Sequence, residues 1–258
     1  MRILISEWLR TKRTAIRWLT FFMPLAVAIC ATAYIAFRTD TTQEFVFEGF
    51  FTIWTAMIIP VGVGVLSGYI VYEEEMAGNF NRFLGSGISR TKLYLGKFLL
   101  LLFCSAICTF IAVGVLCIGS SFLVIDCDNI MIFLSAAILV IIGTLPLLAL
   151  HLWVSFVRGM GASIGISFVG ILMAVLFGAT NLGDKIWIFI PWAWPVKLGM
   201  LPGAYFIKSS GVISSAEIIN NTMRTALLGF TAVAVSLLLF LLLGILWFRN
   251  WENGKGIE

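Results

Sequence analysis

The chain has 258 residues, 60% of them apolar and 12% charged, with a formal net charge of +4 and a mean hydropathy of +1.04. Soluble domains are nearer half apolar and a quarter charged, so this chain has too few polar groups to cover the outside of a compact soluble core. A lipid-facing exterior removes that conflict, and the composition predicts one membrane domain over 1–258 with no room for an ordinary soluble domain beside it.

Met1–Arg17 is too charged to insert. Ile3, Leu4, Trp8 and Leu9 share one helical face, while Glu7, Arg10, Lys12, Arg13 and Arg17 supply a polar remainder. The pattern fits an amphipathic helix lying in the membrane interface, the alternative being a basic anchor that only fixes topology. A spanning helix needs about 20 apolar residues. By that measure spans are predicted at Trp18–Phe37, Phe50–Val71, Phe98–Ile125, Met131–Val157, Ala162–Thr180 and Thr225–Phe248. The first run is long and lacks a small-residue cleavage site, which predicts a retained anchor.

Tyr72–Lys97 is the most informative stretch between spans. Met76, Phe80, Phe83 and Leu84 form one stripe of a short helix. Glu73, Glu74 and Glu75 are expected in its first turn, where the helix dipole favours negative charge, with Arg82 on its polar side. Gly85-Ser86-Gly87 would end it, and Ser89 would cap the next helix. The apolar stripe must cover itself with lipid or with a soluble partner, and the flanking acids favour the partner. Arg158-Gly159-Met160-Gly161 predicts a tight turn between the fourth and fifth spans. Asn181–Met223 is far too apolar for an ordinary loop, yet the run through Pro191, Trp192, Trp194 and Pro195 is too short to cross. It reads as a re-entrant or interfacial hairpin, or as packing against span ends.

Twelve basic residues and six acids fall on the side of both termini, against five basic residues and seven acids on the other. The positive-inside rule then places both termini in the cytoplasm, and the net charge is a topology signal with no call for nucleic acid. Trp8, Trp18, Trp187, Trp192, Trp194, Trp247 and Trp251 are expected near the span ends, at headgroup level. Gly62, Gly64 and Gly68 in the second span, and Gly161, Gly165 and Gly170 in the fifth, allow close helix contact within the chain or with a second one.

Catalytic signals are few. Cys30, Cys104, Cys108 and Cys117 lie in apolar runs and read as buried, inert thiols, whereas Cys127 sits in a loop. His151 has no second metal ligand nearby in sequence and reads as a hydrogen-bonded packing residue. No Gly-x4-Gly-Lys-[Ser/Thr], GxSxG or HExxH motif occurs, so neither ATP hydrolysis nor covalent catalysis is expected of this chain, nor a cofactor or metal of its own.

An interfacial N-terminal helix, six spans, a helix after the second span and an apolar re-entrant stretch before the last form an arrangement that resembles the membrane subunit of ABC-2 type exporters. The best local match runs from Glu73-Glu74-Glu75-Met76-Ala77-Gly78-Asn79-Phe80 through Ser89-Arg90-Thr91-Lys92-Leu93-Tyr94-Leu95-Gly96-Lys97. The opening Glu7-Trp8-Leu9-Arg10-Thr11-Lys12-Arg13 and the Pro191-Trp192-Ala193-Trp194-Pro195 stretch look most like lantibiotic immunity permeases of Gram-positive bacteria. The resemblance implies an all-α fold and a multi-pass location in a bacterial cell membrane. It implies a coupling helix over Glu73–Leu84, gripped by a separate ATPase subunit, in two copies, that holds ATP and magnesium. It further implies a second, different permease chain and a hydrophobic antimicrobial peptide as cargo. Another cargo, such as a lipid or a drug, or a scaffold or sensor that moves nothing, are the alternatives.

Overall fold

The computed structural model of the protein describes residues 2–12, 14–38, 41–77, 87, 89–123, 129–206 and 215–251. The described residues form helices and turns, with no strand among them. The principal helices are α1 (Arg2–Arg10), α2 (Ala15–Ala36), α3 (Gln43–Ile53), α4 (Ile59–Met76), α5 (Arg90–Phe122), α6 (Ile130–Arg158), α7 (Met160–Met173), α8 (Ala193–Gly199) and α9 (Ser215–Arg249). Six stretches are long and apolar enough to cross a membrane: α2, Gln43–Met76, α5, α6, Met160–Ala179 and Ala216–Arg249.

All six predicted spans overlap these stretches, and each helix begins earlier in the chain than its predicted span, while the predicted end of the third span, Ile125, lies outside the described residues. Hydropathy marks only the part of a helix that is soluble in lipid, and polar turns beyond it stay helical in water or against protein. α5 has 33 residues, about 50 Å at the usual rise per residue, against a hydrocarbon thickness of roughly 30 Å. Likewise α9 begins at Ser215, so its polar first turns belonged to the predicted 181–223 segment.

Two of the spanning stretches are interrupted by wider π-turns, Trp54–Ile58 and Ala174–Ala179. Pro60 stands in the first turn of α4, directly after the first of these. Proline has no N–H to give to the preceding turn, and a wider turn there re-pairs the freed carbonyls.

α2 packs on α5, α4 on α7, and α6 sits against α4, α5, α7, α8 and α9. α6 and α7 are joined by Gly159 at φ +81°, a left-handed backbone that suits glycine, so the predicted tight turn is a single residue. A Cβ on Gly64 would collide with the side chain of Ser167 and stand 2.9 Å from the Ser163 carbonyl oxygen, so α4 and α7 meet as closely as two backbones allow. Gly68 and Gly170 are likewise filled from within the chain, by Met160 and Trp192. Gly62, Gly161 and Gly165 have open space where a Cβ would go. Gly62→Ala is therefore expected to stabilise α4 by about 0.5–1 kcal/mol through helix propensity alone, seen as a small rise in the thermal unfolding midpoint of the purified protein.

The exterior remains apolar. Leu238, Leu242 and Leu246 form an exposed stripe on α9, as a lipid-facing helix requires. Cys104 and Cys117 are buried and Cys108 half-buried, but Cys30 is exposed on α2, contrary to the expectation of burial. The surface it faces is itself apolar, so solvent did not force it inward. Cys127 lies outside the described residues.

Candidate functional site

α1 and the end of α9 meet at one end of the bundle, beside the two helix termini that flank residues 77–89. α4 continues to Met76 and α5 starts at Arg90. Glu73, Glu74 and Glu75 therefore occupy the last turn of α4 and not the first turn of a new helix, which corrects the sequence expectation. A helix C-terminus disfavours negative charge, so these acids need cations from elsewhere.

Glu74 finds two. Its Oε1 lies 2.5 Å from Lys97 Nζ on α5, and Arg10 Nη2 on α1 stands 2.7 Å from Oε1 and 2.8 Å from Oε2. Lys97 Nζ also contacts Glu7 Oε2 at 2.5 Å, and Arg10 Nη1 closes the ring to Glu7 Oε1 at 3.3 Å. Glu7, Glu74 and Lys97 are buried, at 6%, 5% and 3% exposure. Two acids and two bases leave the cluster neutral, which is the condition for keeping charges away from water. Burial opposes the Arg10 charge, but Glu74 and then Glu7 outweigh it and hold the guanidinium above its ordinary pKa.

The cluster staples α1 to the end of α4 and the start of α5. α1 is tied down further by Trp8, whose ring meets Phe103 edge-on at 5.1 Å and carries the Arg17 guanidinium 4.6 Å above it. Arg17 Nη2 also donates to the Trp8 carbonyl at 2.9 Å. Glu7 thus points into the protein, where the sequence had placed it on the polar face. Lys12 and Leu9 remain exposed, and Arg13 lies outside the described residues. On the far side of α5, Arg90 donates to the carbonyls of Arg249 at 3.0 Å and Trp251 at 2.5 Å. Ser89 caps α5 by position, its carbonyl accepting from the Leu93 N–H, while its side chain makes no cap bond.

The sequence pattern puts Glu7 and Arg10 in one feature and Glu74 in another, and gives Lys97 a place in the topology count and at the end of the ABC-2-like stretch, with no partner. The structure makes the four one unit. The available signal was Lys97 itself, one residue before a long apolar run and seven beyond the start of its helix. Met76 is exposed, while Phe80, Arg82, Phe83 and Leu84 lie outside the described residues, as does the helix predicted there.

The 181–206 stretch folds back on the bundle. α8 lies against the middle of α6: a Cβ on Gly143 would stand 2.8 Å from Pro195 Cα, and one on Gly199 2.6 Å from a Val140 methyl. Trp194 is buried and its Nε1 donates to the Ile188 carbonyl at 3.0 Å. Trp192 fills the gap left by Gly170 and meets the His151 ring edge-on at 6.4 Å. Trp192 and Trp194 are thus packed against helices, not spread at span ends as their number suggested. Pro191, at the start of this turn, is half-buried.

His151 Nδ1 lies 3.0 Å from Ser163 Oγ, which is 3.0 Å from the Gly64 carbonyl oxygen. The Ser163 hydroxyl has one proton and gives it to Gly64, so Nδ1 carries the imidazole proton and donates to Ser163. The predicted packing role of His151 is thereby specified as a link between α6, α7 and α4. Among the described residues no group of three His, Cys, Asp or Glu could hold a metal ion.

The described residues thus form a multi-span helical bundle in which one buried ion cluster joins α1, α4 and α5. Residues 3–174, about two-thirds of the chain, match the ABC-2 family transporter proteins, and the chain belongs to that family. Membership makes it a membrane component of a transporter, working with an ABC ATPase subunit. No curated protein and no solved structure shows a significant match to the chain.

Proposed function

We propose that the chain is the permease subunit of an ATP-driven exporter that expels a lantibiotic-type antimicrobial peptide from a bacterial cell membrane and so protects the cell. Both termini face the cytoplasm in this reading, and the 181–206 stretch enters the membrane from outside. A separate ATPase, in two copies, grips residues 73–84, and a second, different permease chain completes the pathway.

The observation that carries the reading is Lys97 held between Glu7 and Glu74. The helix ends on either side of residues 77–89 are joined through one cluster, so a push delivered to either end is transmitted to α4 and α5 together. From α4 the movement passes to α7 through the Gly64–Ser163 contact and from α5 to α2, on which it packs. An apolar cargo needs lateral entry and no charged filter, which suits these spans.

The test substitutes Phe80 and Phe83 with Asp. An anchor residue in a docking cleft contributes about 2 kcal/mol or more, so ATPase recruitment should weaken by roughly 30-fold or more and peptide resistance should fall to that of cells lacking the gene. Wild-type recruitment and resistance would refute the coupling role. Survival against a panel of peptides, lipids and drugs decides the cargo, and resistance to a drug alone would refute the peptide.

A further inference from the structure

A groove runs between α2 and α3, on the side of α2 that does not meet α5. Its walls include Cys30, Tyr34, Phe45, Gly49 and Ile53, Trp54 closes it, and its volume is about 430 Å³. On α2 it extends from Ala26 to Ile35, which is about 14 Å of helix, close to half the roughly 30 Å hydrocarbon thickness. Gly49 stands in the interior of α3, where glycine costs about 1 kcal/mol relative to alanine. No atom lies within 4 Å of where its Cβ would be, so no helix packed against it explains the glycine. The effect of Gly49 is to keep the groove open.

At the mouth of the groove stands Arg38, two residues past the end of α2. Its Nη1 donates to the Tyr34 hydroxyl at 3.2 Å, and its guanidinium lies 4.4 Å over the Phe45 ring. Tyr34 and Phe45 are walls of the groove, one from each helix, so the cation is fixed across the opening. The ring contact and the single bond to Tyr34 occupy only part of the guanidinium, and its other N–H donors suit a phosphate. The mouth coincides with the end of an apolar span, where headgroups begin.

We propose that this groove is a phospholipid site, with one acyl chain lying along α2 and α3 and the phosphate on Arg38. The occupant is a lipid rather than a helix of a second chain, because the apolar walls end at the Arg38 guanidinium and a phospholipid joins an anion directly to an apolar tail. A channel about one leaflet deep with apolar walls, ending at the Tyr34 hydroxyl and the Arg38 cation at the headgroup end, matches a phospholipid in both shape and charge. The inference is independent of what the transporter carries.

The test reconstitutes the protein into neutral phosphatidylcholine vesicles containing a trace of phosphatidylglycerol with a photoactivatable diazirine in its acyl chain. Parallel vesicles carry a neutral diglucosyl diacylglycerol with the same chain. After illumination, labelled residues are mapped by peptide mass spectrometry, with the lipid-facing stripe Leu238–Leu246 of α9 as internal reference. Phosphatidylglycerol should label 26–35 and 45–54 about five-fold or more above that reference, Gly49→Leu should abolish the excess, and Arg38→Gln should reduce it about five-fold, the worth of one exposed charge pair of about 1 kcal/mol. Neither substitution should change labelling of α9, which reports correct insertion, nor should Arg38→Gln change labelling by the neutral lipid. Groove labelling equal to α9, labelling insensitive to Gly49→Leu, equal labelling by the two lipids, or capture of a second copy at these positions would each overturn the proposal.

Discussion

Replacing Lys97 with methionine is expected to lower the thermal unfolding midpoint of the purified protein by roughly 10 °C, corresponding to about 3–5 kcal/mol for removing one partner of a buried ion pair. The size follows from what is left behind. Glu7 and Glu74 would remain buried with only Arg10 between them, and Arg10 is half-exposed and already shared. A triple variant Glu7→Gln, Glu74→Gln, Lys97→Met should recover most of the loss, because neutral groups need no counter-charge. Arg10→Met should cost far less than Lys97→Met, since water can reach its place. Unfolding curves of the four proteins in one detergent decide the matter. If Lys97→Met unfolds with the wild type, the cluster does not brace α1, α4 and α5 as argued.

The second large effect concerns the stretch that folds back on α6. Gly143→Val is expected to destabilise the protein by about 3 kcal/mol, at the upper end of what overpacking costs. A Cβ at 143 would stand 2.8 Å from Pro195 Cα, 2.9 Å from Pro195 N and 3.1 Å from the Trp194 carbonyl carbon. All three are backbone atoms, so no rotamer change relieves the clash and α8 must move. Protease cleavage within 181–206 of the folded variant, absent from the wild type, would report that displacement. Equal resistance of the two proteins would show that α8 does not depend on this contact.

These two sites show where reading the sequence reached its limit. The six apolar runs were legible because the length and hydropathy of a spanning segment are local properties of consecutive residues. The same holds for the turn at Gly159. The end of α4 was misread because Glu73-Glu74-Glu75 is a fitting first turn for a helix considered alone. Only the cations brought by α1 and α5 make it acceptable as a last turn. The role of Lys97 was missed for the same reason, its two carboxylate partners lying 90 and 23 positions away in sequence.

The sequence alone thus determined a six-span helical membrane protein, the absence of a P-loop motif, and a resemblance to ABC-2 permeases that residues 3–174 bear out. Lipid imposes these features residue by residue, through the need to match apolar length and to pair every backbone group within its own helix. Tertiary structure decided which charges are buried together, that the Trp192–Pro195 turn packs against the middle of the bundle, and which glycines are closed by neighbours and which open onto a groove. Each of these depends on atoms that meet only when separate helices pack, and no local pattern encodes such a meeting.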